Sequence, residues 1–174
     1  MNKTAINKLV LSGLFTAIGV IIPMIFHTFS LAGSIFLPMH IPVLLCGFIC
    51  GWQYGLVVGI FVPFLGSMIT GMPPIFPVAT SMAFELAAYG AVAGFLASKK
   101  INVLIALLIA MLAGRIVMGA ANVVFLGMAG GSYAWPAFIS GAFITAFPGI
   151  IIQLILIPII LTTLKKVHLL EKLG

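Results

Sequence analysis

Apolar runs long enough to cross a bilayer fill nearly the whole chain, and this fixes what it can fold into. A hydrocarbon span takes about 20 residues of helix. The 174 residues are 63% hydrophobic and 6% charged, where soluble domains carry roughly a quarter charged residues. The chain reads as one all-α integral membrane domain, 1–174, with almost no soluble part. The first apolar run lacks a small-residue cleavage site followed by soluble sequence, so it reads as a retained helix. The net charge of +6 does not point to nucleic acid, because the lysines sit at helix ends and report topology.

Two charges break the apolar pattern. Glu85 stands in Met82-Ala83-Phe84-Glu85-Leu86-Ala87-Ala88-Tyr89, and Arg115 in Met111-Leu112-Ala113-Gly114-Arg115-Ile116-Val117-Met118. An ionisable group at a helix centre costs roughly 2.5–3.5 kcal/mol even on the lenient insertion scale. Each must therefore face protein, water or a ligand. Two readings stand: a structural Glu85–Arg115 ion pair, or a binding site that uses one or both.

Taken in order, the chain predicts six transmembrane helices. The first covers about 9–26, after a polar start holding Lys3 and Lys8, and carries the small residues Gly13 and Ala17 four apart. That spacing lets another helix approach closely, within the chain or from a partner. His27–Met39 is too polar and interrupted to span and reads as an ordered loop. Pro38-Met39-His40-Ile41-Pro42 starts a short or tilted second helix, about 41–50. Gly51-Trp52-Gln53-Tyr54-Gly55 reads as a turn with interfacial aromatics. The third helix covers about 56–69. Thr70-Gly71-Met72-Pro73-Pro74-Ile75-Phe76-Pro77 follows as a stiff apolar loop, because prolines lack the amide donor and hold their predecessors extended. The fourth helix, about 78–97, carries Glu85 and Tyr89, four apart on one face. The fifth, about 102–126, carries Arg115 and Asn122, seven apart on one face. A glycine-rich loop, Gly127–Pro136, holds Tyr133 and Trp135. The sixth helix covers about 137–164, bent at Pro148 and Pro158, with Gln153 as its one strongly polar interior residue.

Lysine clusters precede helix one and follow helices four and six. The positive-inside rule makes these ends cytoplasmic, and six helices satisfy all three together. Both termini are then cytoplasmic, and the loops after helices one, three and five face outward. Helix rise puts Glu85 roughly 10 Å and Arg115 roughly 15 Å inward from the outer helix ends. With Asn122 they line an outward-facing pocket lidded by the three loops.

Several chemistries find no support. Cys46 and Cys50, the two cysteines, lie four apart inside an apolar run and read as packing; zinc or redox motifs need closer spacing or more ligands. Gly94-Phe95-Leu96-Ala97-Ser98-Lys99-Lys100 lacks the ending of a phosphate-cradling loop, so any ATP use belongs to a partner. No paired carboxylates, histidine cluster or serine beside a base is present. The chain is read as no enzyme, with no catalytic residues, metal or cofactor.

These features carry a resemblance. The six-helix size, Gly13 and Ala17, the module Pro38-Met39-His40-Ile41-Pro42-Val43-Leu44-Leu45-Cys46-Gly47-Phe48, and Gly71-Met72-Pro73-Pro74 followed by Glu85-Leu86-Ala87-Ala88-Tyr89-Gly90 resemble the substrate-binding S components of energy-coupling factor (ECF) transporters, ABC transporters that take up vitamins. The resemblance covers nearly the whole chain. It implies high-affinity capture of a water-soluble vitamin from outside a prokaryotic plasma membrane. It implies assembly with a transmembrane coupling subunit and two cytoplasmic ATPases, and movement of this subunit by toppling in the membrane. The family's helix-one motif is usually alanine-three-residues-alanine and meets the coupling subunit. Gly13 and Ala17 stand at those positions, and the glycine departs from the commoner residue.

For the ligand, Arg115 suits a bidentate carboxylate, and Asn122 offers a donor and an acceptor. Glu85 either accepts from the ligand or holds Arg115. Tyr89 is a ligand contact or a hydrogen-bonded packing residue. His40 donates to an anion or is an interfacial histidine with a water partner. Tyr133 and Trp135 stack on the ligand or cap the site. The modest aromatic supply favours a small carboxylated vitamin, pantothenate-like, over a pterin or flavin, with pyridoxine-like and nicotinate-like ligands open. The alternatives in other classes are an autonomous secondary carrier or channel for a small polar metabolite, and a structural membrane subunit with no ligand.

Overall fold

The computed structural model describes residues 3–27, 35–128 and 135–166. It is helical throughout: α1 (Lys3–His27), α2 (His40–Cys50), α3 (Trp52–Thr70), a π-helical turn (Ile75–Ala79), α4 (Thr80–Ser98), α5 (Val103–Met128), a short α6 (Trp135–Ile139), a second π-helical turn (Ser140–Thr145) and α7 (Phe147–Lys166). Five stretches are long and apolar enough to cross a membrane: Thr4–Phe26, Trp52–Thr70, Ile75–Ser98, Val103–Phe125 and Phe147–Lys166. The shorter apolar His40–Cys50 makes the sixth. The protein is a six-helix membrane protein whose second helix is short, as the proline-flanked sequence predicted.

Close packing of α2, α3 and α4 rests on glycine. A Cβ at Gly90 would meet the backbone of Gly55, and one at Gly55 would meet the backbones of Gly47 and Gly90. In lipid, where apolar burial between helices drives little, such backbone approach is what gives helices their affinity for one another. Around this seam lies a core of Val43, Leu44, Val62, Leu86, Tyr89 and Leu107. Outward, α5 turns Leu104, Ile105, Leu108, Ile109, Leu112 and Ile116 to the surface, an apolar stripe suited to lipid.

Several boundaries differ from expectation, two of them with a clear backbone cause. The turn before α3 is Gly51 alone, at φ 106°; that conformation suits glycine, so Trp52 to Gly55 already form the first turn of α3. The expected sixth helix is broken. It begins as α6 and the π-helical turn, is interrupted by one turn residue, Ala146 (φ −78°, ψ −6°), and restarts at Phe147. Pro148 lies in the new first turn, where its missing amide donor is harmless, instead of bending a continuous helix.

The expected loop Thr70–Pro77 is shorter than predicted: Ile75–Pro77 already belong to the π-helical turn, with Phe76 extended (φ −124°, ψ 136°). Ser67 Oγ donates to the Pro73 carbonyl (2.6 Å) and Thr70 Oγ1 to that of Met72 (2.9 Å). A cavity is lined by Phe48, Ala97, Lys100, Val103, Leu161 and Lys165 among others. It gathers the ends of α2, α4 and α7 and the start of α5 at one end of the bundle. Cys46 Sγ lies 3.7 Å from Ser12 Oγ, which brings the Lys8 half of α1 toward the same end. Both cysteines are buried and free.

Candidate functional site

Halfway along the bundle lies a layer of buried polar groups. Glu85 on α4 and Arg115 on α5 are 1% and 5% exposed, so both charges are out of water. Arg115 Nη1 stands 2.9 Å from Glu85 Oε1. This is ion-pair contact without hydrogen-bond alignment, since Oε1 has no hydrogen-bond partner. A buried pair holds two charges against a desolvation penalty that attraction alone need not offset. The remaining donors and acceptors therefore matter.

His40, the first residue of α2, joins the pair: its Nε2 is 3.6 Å from Glu85 Oε1. Its amide donates to the Leu37 carbonyl (3.1 Å), which starts the helix. The imidazole is 1% exposed and meets the Tyr89 ring edge-on, centroids 5.3 Å apart. His40 is therefore no interfacial histidine held by bulk water; the neighbouring turns bury it beside Glu85. Tyr89 is fully buried, its ring seated against Gly114, where a Cβ would collide with it. Gly114 precedes Arg115, so the tyrosine ring and the guanidinium side of α5 are packed by one contact.

Arg115 divides its donors unequally. Nη1 serves Glu85 and lies 3.9 Å from Met118 Sδ. Nε and Nη2 are buried and have no hydrogen-bond partner. These two nitrogens form the side edge of the guanidinium, a fork whose parallel N–H groups match a carboxylate. Glu85 thus holds one corner of Arg115 and leaves a bidentate edge uncommitted.

Among the described residues, the buried side-chain polar atoms without a hydrogen-bond partner belong to His40, Glu85, Tyr89, Arg115 and Gln153. Four of these five are expected site residues. Gln153 is the one the sequence reading passed over, although it stood out as the polar residue of its helix. Asn122 is half-buried and two turns, about 10 Å, beyond Arg115 on α5, outside the ion-pair layer. Tyr133 and the side chain of Trp135 lie outside the described residues. Gly13 and Ala17 are exposed on α1, and a Cβ at Gly13 meets nothing. Their surface is open among the described residues. The cavity at the lysine-rich end is not the pocket expected from the sequence: Ala97 and Val103, which line it, are each twelve positions from Glu85 and Arg115. No group of three or more metal-ligating side chains occurs among the described residues.

Six membrane-embedded helices around a sealed layer of charge define a polytopic membrane protein with a polar interior, the class to which solute-binding transport subunits belong. Residues 7–161 match the family of the ECF transporter, substrate-specific component, and the chain belongs to that family. It is a multi-pass cell-membrane protein and a substrate-specific subunit of an ECF transporter, and its partners are the transmembrane component and ATPases of that transporter. No curated relative and no solved structure matches the chain.

Proposed function

We propose that this subunit captures a small carboxylated vitamin, pantothenate-like, from outside the cell and hands it to the ATP-driven module. The observation that carries this reading is the uncommitted Nε–Nη2 edge of Arg115, held in place by Glu85 on the other side of the guanidinium. A carboxylate on that edge forms two charge-assisted hydrogen bonds in a water-poor setting, where they are strong. In this reading Glu85 positions Arg115, His40 steadies Glu85, and Tyr89 closes the wall beside Gly114. Residues 1–174 act as one six-helix unit, with the lysine-rich end cytoplasmic and the polar layer reached from the opposite side. The fork is sealed from solvent in this conformation, so a ligand reaches it only when the covering side chains move.

Calorimetry on the purified full chain with pantothenate, pantothenol, nicotinate and pyridoxine tests the reading. Saturable binding of pantothenate at nanomolar concentrations is expected, with pantothenol, which carries an alcohol in place of the carboxylate, at least a hundredfold weaker. Equal affinity for the two would remove the carboxylate from the Arg115 fork. Binding of nicotinate in place of pantothenate would keep the fork and change the vitamin.

A further inference from the structure

We propose that Gln153 is a second ligand contact, one that reads a group able both to donate and to accept a hydrogen bond, such as an amide, while Arg115 holds the carboxylate. The assignment rests on the capture reading and adds a specificity-determining residue to it.

Gln153 belongs to a single stripe of α7. Gly149, Gln153, Ile157 and Leu161 are the buried residues of that helix, each four positions from the next and so on one face. Gly149 sits against the backbone of Ile35 and Phe36. Ile157 and Leu161 enter the apolar core. Between them an apolar residue would pack as well, yet the position holds an amide. Gln153 is 0% exposed, and neither its oxygen nor its nitrogen has a hydrogen-bond partner. A buried amide left unpaired costs roughly 1–3 kcal/mol, and such a group in a native structure calls for an explanation. Polar side chains in membrane bundles often hydrogen-bond across helices. Gln153 makes no such bond to a described residue, so interhelical bonding does not account for it.

Its height places it level with His40, a partner of the charge pair. Phe48 and Leu161 line the same cavity near the lysine-rich end, and His40 and Gln153 are each eight positions above them on α2 and α7, about 12 Å along the helix axis. Glu85, from α4, reaches His40 at that height. The buried stripe of α7 faces a bundle in which that helix packs beside α2 and α5, the helices that carry His40 and Arg115. An amide has one acceptor and two donors; it complements another amide, or a hydroxyl beside a carbonyl, and discriminates against ligands that lack them. A site built to bond such a group rejects analogues without it far more strongly than an apolar pocket rejects an extra methylene.

The test uses the full-length protein with Gln153→Leu and Gln153→Asn, each titrated in the folded state with pantothenate and pantothenol, with the unfolding temperature of the ligand-free form measured on separate samples. Gln153→Leu should unfold at the same temperature as the native protein or higher, because an unpaired buried amide is removed. Its affinity for pantothenate and pantothenol should fall by the same factor, tenfold or more, since Gln153 does not touch the carboxylate. Gln153→Asn, whose amide is one methylene short, should fall between. Native-like affinity in Gln153→Leu overturns the assignment. So does a large drop in its unfolding temperature, which would make the amide a structural tie. If the native chain binds none of pantothenate, pantothenol, nicotinate and pyridoxine, the capture reading itself fails, a result distinct from native binding with an indifferent Gln153.

Discussion

Arg115 shows most directly how a single residue shapes this protein. It is buried, charged, and satisfied on one corner only. Arg115→Ala leaves Glu85 as a buried charge beside His40 and Tyr89 without a cationic partner of fixed charge, and removing one partner of a buried pair costs about 3–5 kcal/mol. Loss of binding in that variant alone would therefore confuse misfolding with function. The double substitution Glu85→Gln with Arg115→Met removes both charges and should recover most of the thermal stability while pantothenate binding stays lost. Recovery of binding along with stability would show that the pair is structural. Glu85 and Arg115 were legible in the sequence because a charge in an apolar run has few places to go. The role of His40 was not. Its burial depends on Glu85 and Tyr89, which lie far along the chain, and no local pattern around Pro38 and Pro42 encodes that contact.

At the scale of elements, the glycine seam of α2, α3 and α4 sets how near the site helices come. Gly90→Val would drive a branched side chain into the Gly55 backbone, which cannot give way as a flexible side chain would. Overpacking of this kind costs about 1–3 kcal/mol or more. We expect a clear fall in the unfolding temperature and weaker ligand binding, because α4 carries Glu85. Gly13→Ala, with nothing near its added Cβ, should be silent in both assays and serves as the control. A silent Gly90→Val would mean that the helices are not held by this seam. The helix count was readable from apolar run length, since lipid leaves the backbone little other choice. The break before α7 was not: a proline inside an apolar stretch marks a bend or a fresh start equally well, and only the turn at Ala146, between the π-helical turn and α7, distinguishes them. Gln153 was visible as polar, but whether a neighbour satisfies it is a question of packing, which spacing does not answer.

At the scale of the whole molecule, the lysine-bearing ends of α4 and α7 gather at one end of the bundle, and the charge layer lies about two to three turns above. In the proposed function that arrangement separates two tasks: ligand selection in the interior, and coupling on the outer surface. We assign the exposed Gly13 and Ala17 on α1 to the second task as a proposal, because a small-residue surface facing away from its own bundle fits the close approach of another helix. Gly13→Leu together with Ala17→Leu should leave ligand affinity and unfolding temperature unchanged, since neither side chain reaches the core. The same variant should lose co-purification with the transmembrane component of the transporter and uptake in vesicles containing all subunits. The native chain alone in vesicles should bind pantothenate and carry none inward. Uptake by the chain alone, driven by an ion gradient, would instead mark an autonomous carrier. Intact coupling in the double leucine variant would move the partner contact to another face of the bundle, leaving the interior assignment to Arg115 and Gln153 untouched.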